Sequence, residues 1–122
     1  MVKTGPGSDT AARTLITELR SLLGTKLVAY LAEAPDTTTV HGWVDATSTL
    51  PDQAILNRLQ VALDAARRIG TRDTPDVIQT WFQGRNPALD NQPPAQLLRE
   101  ANLDTVRYTI RDAATEFATH GT

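Results

Sequence analysis

The chain has 122 residues, 40% hydrophobic and 21% charged, with a formal net charge of −2 and a calculated pI of about 5.6. That leaves room for one compact domain or two small subdomains sharing a core, is too apolar for a disordered chain, and lacks the basic excess of a domain that lives on phosphate contacts. There is no cysteine, so disulfides, a thiolate nucleophile and a cysteine zinc site are excluded, and the two histidines, His41 and His120, are too few for a histidine-rich metal site.

Residues 1–12, rich in glycine, proline and small polar residues, read as a disordered tail without the apolar stretch of a signal peptide. No run approaches the roughly 18 uncharged apolar residues of a membrane span, and the chain reads as soluble and cytoplasmic. Leu15, Ile16, Leu19, Leu22 and Leu23 then recur at helical spacing, and Gly24 is placed to end that helix. Thr25 can cap a short helix from Lys26 to Ala34, stopped by Pro35. Asp36 and Thr37 are candidate caps for a third helix, about Thr38 to Ala46, with Val40, Trp43 and Val44 on one face. Its threonines and Gly42 make it weak by propensity, so packing must hold it. Pro51 at the start and Asp52 in the first turn favour a long helix to Ile69, carrying Ile55, Leu56, Leu59, Ala62, Leu63, Ala66 and Ile69 as its apolar stripe.

The second half repeats this grammar. Thr74 and Pro75 open a helix with Val77, Ile78, Trp81 and Phe82 on one face, and Gly84 ends it. A loop from Arg85 to Gln92 follows, with Leu89 as its apolar anchor. Asn86 is suited to an Asx-type turn made with its own neighbouring backbone. Pro93 and Pro94 start a short helix carrying Leu97 and Leu98. The last helix, about Leu103 to Ala118, turns Val106, Ile110, Ala113, Ala114 and Phe117 inward. No segment has the alternation of a strand, so the fold class is all-α: a helix-turn-helix-like front, residues 13–70, followed by a small helical domain, residues 74–122.

The front half carries Val40-His41-Gly42-Trp43, Pro51 eight residues after Trp43, and Arg58-Leu59. This resembles the region around the recognition helix of Xre-type antitoxins. Members commonly carry a basic residue just before the tryptophan, where this chain has Gly42. The candidates left for base or phosphate contact are Thr37, Thr38, Thr39 and His41, which contribute less than an arginine fork. From Lys26 to Arg58 those two residues are the only basic ones, against Glu33, Asp36, Asp45 and Asp52, a repulsive balance for a duplex. Arg13 and Arg20 on the first helix could add phosphate contacts. Trp43 reads as core and His41 as surface.

The segment from Thr80 to Leu98 is the most informative. Trp81, Phe82, Asn86, Leu89, Pro93 or Pro94, Leu97 and Leu98, with Val106 in the last helix, resemble the toxin-binding domain of the MbcA/ParS/Xre antitoxin family. The resemblance covers about Pro75 to the end, and Lys26 to Ile69 more loosely. It implies a type II antitoxin whose partner is a RES-domain toxin, some of which degrade NAD, and it leaves operator binding for autoregulation open. It also implies assembly as a homodimer and toxin contacts from the last helix and tail: Arg107, Arg111, Glu116, Phe117, Thr119, His120 and Gly121, with Arg85 and Arg99 nearby. A guanidinium or terminal polar group entering a pocket built for a dinucleotide phosphate fits the anion selectivity of such a pocket.

Nothing in the sequence forms a catalytic constellation. Gly5-Pro6-Gly7 lacks the strand that a phosphate-binding glycine loop needs, and Asp73 and Asp76 straddle a helix start, where they serve the helix dipole. No enzyme activity, cofactor or metal is expected. Two alternatives remain open, a stand-alone helix-turn-helix regulator and an adaptor for another protein partner.

Overall fold

A computed structural model describes residues 6–120, with side chains from residue 9 to residue 119. Its elements are α1 (Pro6–Leu23), α2 (Thr25–Ala32), α3 (Thr37–Asp45), α4 (Gln53–Gly70), α5 (Pro75–Gln83), a 3-10 turn (Pro87–Leu89), α6 (Pro94–Glu100) and α7 (Leu103–His120). Among the described residues there is no strand, only an isolated antiparallel bridge between Asn86 and Gln92. The fold is an all-α, multi-helix bundle. No helix among the described residues is long and apolar enough to cross a membrane.

Helix boundaries follow local chemistry. Asp36 and Asp52 each cap a helix, accepting from the N–H of Thr39 at 2.9 Å and of Ile55 at 3.0 Å. The carboxylates thereby satisfy N–H groups that a helix start leaves unpaired. α4 consequently begins at Gln53 rather than at Pro51, and Asp52 lies before the first turn instead of within it. α2 ends on Glu33, which adopts the left-handed conformation at φ 56°, so the helix stops before Ala34 and Pro35. Thr25 is the first residue of α2, and Gly24, at φ 87°, takes the cap position. Thr74 precedes Pro75, whose fixed φ suits the first helical position.

The largest departure from the sequence reading is at the front. α1 starts at Pro6, so residues 6–12 are helical rather than tail. Proline can open a helix, Asp9 sits in the first turn where negative charge is favourable, and Ala12 is already buried. Of the expected tail, only residues 1–5 lie outside the described residues.

The buried residues form a single cluster that draws on both halves of the chain. Ile16, Leu19, Leu31 and Leu59 from the first half meet Ile78, Phe82, Leu98 and Ile110 from the second, all fully buried. α4 packs along α7, α1 against α5, and α2 against α6. The segments 13–70 and 74–122 therefore share one core. Polar struts tie the helices together. Arg58 donates to the Leu31 carbonyl at the end of α2 (2.7 Å) and to Glu33 (2.9 Å), and Arg67 pairs with Glu18 across α4 and α1 (2.8 Å). The Arg67 guanidinium holds the Glu18 carboxyl below its usual range.

Candidate functional site

The stretch after α5 is organised by Asn86. Its side-chain oxygen accepts from the Ala88 N–H at 2.9 Å, and its carbonyl accepts from Leu89 and Asn91, each at 2.9 Å. Asp90 and Asn91 turn the chain back with φ values of 57° and 61°, a conformation short polar side chains tolerate. Leu89 is thereby driven into the core, 4% exposed. Pro93 precedes α6, and Leu97 on that helix is half-buried against the core.

This turn forms one wall of a groove of about 470 Å³, closed on the other side by the C-terminal part of α7. Trp81 supplies the floor. Its ring meets Phe82 edge to face at 5.0 Å and tilts against Phe117 at 6.4 Å. Trp81 is 7% exposed, yet its indole Nε1–H has no acceptor among the described residues. A buried donor without a partner is costly. Arg85 and Glu116 stand exposed on the rim, and neither makes a hydrogen bond or ion pair among the described residues. The groove thus offers an apolar floor and one charge of each sign.

The nine residues expected to touch a partner fall in different places. Arg85, Glu116 and Phe117 meet at this groove. Arg99 does not join them. Its guanidinium lies 4.6 Å over the Tyr30 ring and donates to the Tyr30 carbonyl at 3.1 Å, fastening α6 to α2. Arg107 and Arg111 face a second groove between α4 and α7. Thr119 is exposed near the end of α7, and its carbonyl accepts from Arg72 at 3.0 Å. Gly121 and the side chain of His120 lie outside the described residues. The sequence reading missed Arg72 as the clamp on the end of α7, where it also bonds the Ala118 carbonyl at 2.7 Å. A basic residue just past α4 was the available signal, but its target is 46 residues away.

The front half presents little to a polyanion. Thr38 and His41 are exposed on α3, while Thr37 and Thr39 are half-buried. Thr39 is engaged at the helix cap, its hydroxyl donating to Asp36 at 2.9 Å. These hydrogen bonds, the backbone one first, hold the Asp36 carboxyl below its usual range, which keeps a negative charge at the start of α3. Arg13 donates to the Trp43 carbonyl and Arg20 to His41 Nδ1 at 3.2 Å, so both brace α1 to α3. Trp43 is buried and donates its Nε1–H to the Thr49 carbonyl at 3.0 Å. Gly42 is buried too. A Cβ there would sit 2.1 Å from Ser48 Oγ, so the position has no room for the basic residue found in Xre-type chains.

Among the described residues no cluster of three metal-ligating side chains occurs. The fold and its groove define an all-α helical protein with a partly apolar, charge-rimmed surface cleft at the α5–α7 junction. Compared with known proteins, the chain matches no family model, no curated protein and no solved structure.

Proposed function

We propose that the chain is an antitoxin of the MbcA/ParS/Xre kind that binds and neutralises a RES-domain toxin. The observation carrying this reading is the groove itself. Two of the residues on which the resemblance rests, Trp81 and Asn86, line it, and the end of α7 closes it with Glu116 and Phe117. In this reading the toxin seats a segment across Trp81 and meets Arg85 and Glu116 with charges of opposite sign. The C-terminal end of α7 then reaches toward the toxin's active-site entrance.

α2 and α3 occupy the positions of a helix-turn-helix pair in this reading. Operator contact through Thr37, Thr38, Thr39 and His41 is the secondary role, and it draws on a homodimer or a toxin complex for its positive charge. The acidic Asp36 at the head of α3 and the internal engagement of Arg13 and Arg20 favour protein binding as the primary activity.

The test is co-expression with a RES-domain protein encoded beside this gene, followed by co-purification and a growth assay. A stoichiometric complex that restores growth, and is lost on Arg85→Glu combined with Glu116→Arg, is the expected result. A folded chain that leaves the toxin unbound and active would refute the reading.

A further inference from the structure

The second groove, between α4 and α7, has a volume of about 390 Å³ and a chemistry unlike the first. Arg68 from α4 meets Arg107 and Arg111, which are four residues apart on one face of α7. Asp64 is the one carboxylate on its lining, and it already accepts from Gln60 at 3.0 Å. Arg111 is partly satisfied, lying 5.0 Å over the Tyr108 ring and bonding Asp112 at 3.0 Å. Arg68 makes only a long contact, 3.4 Å, to Thr115 Oγ1. Arg107 makes no hydrogen bond among the described residues, although its Nε is enclosed. An enclosed guanidinium nitrogen without an acceptor, flanked by two more guanidiniums, is a set of donors awaiting an oxyanion.

The remaining walls are mixed, with Val61 and the Tyr108 ring beside polar groups. Asn57 uses its carbonyl to accept from Gln53 at 2.8 Å, which leaves its amide NH2 to donate. Gln60 donates to Asp64, which leaves its carbonyl to accept. Tyr108, 56% exposed, is the one large hydrophobic side chain standing out from the surface among the described residues. A concave site of this volume lies within the range of small-molecule pockets.

We propose that the α4–α7 groove binds the oxyanion head group, phosphate or carboxylate, of a polar small molecule. Arg107 Nε donates to the head group, Arg68 and Arg111 close around it, and Asn57, Gln60 and the Tyr108 ring contact the body. The site is separate from the Trp81 groove and does not depend on the antitoxin reading.

The test is arginine Nε–H NMR on the full chain, titrated with inorganic phosphate, acetate and adenosine monophosphate at constant ionic strength held with sodium chloride. The Arg107 signal is expected to move saturably with phosphate or acetate while that of Arg85 stays still. Which of the two anions acts tells a phosphate site from a carboxylate site. Adenosine monophosphate is expected to bind more tightly than the bare anion because it reaches Tyr108 and the amides. Arg107→Gln is expected to weaken binding about tenfold, read on the Arg68 and Arg111 signals. Arg68→Gln provides a second variant should the first unfold. Shifts that merely track sodium chloride, or that appear equally at Arg85, overturn the proposal.

Discussion

Substituting Gly42 by alanine gives a prediction whose sign depends on the close packing at the end of α3. Three backbone N–H groups converge on the Gly42 carbonyl: the cap Ala46, then Thr47 at 2.9 Å and Ser48 at 3.2 Å. The chain therefore folds back directly over residue 42. An added Cβ would stand 2.1 Å from Ser48 Oγ and 2.9 Å from Ser48 Cβ. The hydroxyl can rotate away, but the Cβ is fixed to the backbone that makes those bonds. By helix propensity alone, Gly→Ala stabilises by about 1 kcal/mol. Overpacking costs about 1–3 kcal/mol, so we expect Gly42→Ala to destabilise the protein by roughly 1 kcal/mol net. Urea unfolding followed by circular dichroism at 222 nm, the usual helix wavelength, measures this. Adding Ser48→Gly, which removes both contacting atoms, should recover part or all of the loss. A Gly42→Ala protein as stable as the parent, or more so, would refute the reasoning and reopen position 42 to side chains.

Further expectations follow from particular contacts. Arg58→Ala should lower stability by about 2 kcal/mol because it strands the Leu31 carbonyl. Glu33→Gln should cost less than about 1 kcal/mol, since that carboxylate is half-exposed, and urea midpoints compare the two. Ala46 sits in the left-handed region at φ 64°, so Ala46→Gly should raise stability by about 0.5–1 kcal/mol, read from the same titration. Leu89→Ala should cost about 2–5 kcal/mol by leaving a cavity under the Asn86 turn, and thermal unfolding reports it. Asp36 has a carboxyl pKa below its ordinary 3.8, so its contribution is present above that pH and is lost as pH falls through the lowered value. Acid titrations of the parent and Asp36→Ala should therefore diverge near neutral pH and converge below pH 3.8.

Much of the helical framework was legible because its signals are local. Proline at the start of α5, glycine after it, and the apolar stripe of α4 each act within a few residues of the boundary they set. The misread front shows the limit of composition. Two glycines and a proline look like tail, yet proline at a helix start costs nothing, and Ala12 finds a buried place only in the tertiary structure. Asp52 was placed one step too deep because a carboxylate suits both the cap and the first turn, and only its bond to the Ile55 N–H decides. Glu116 and Phe117 in the last helix and Arg85 in the loop before α6 were named only through the family resemblance. That they share a groove with Trp81 depends on α7 returning past the Asn86 turn. Arg68 was out of reach in the same way. Its partnership with Arg107 and Arg111 exists only because α4 lies along α7.

The most direct test of the antitoxin proposal is to purify this chain together with a RES-domain protein encoded beside it and observe the Trp81 indole N–H by NMR in the free and bound chain. Formation of a complex that shifts the Trp81 signal and leaves that of Trp43 in place, with loss of the toxin's activity, is the predicted result. No complex, or a complex that leaves the Trp81 signal unmoved, would contradict the assignment of the groove as the toxin-binding site.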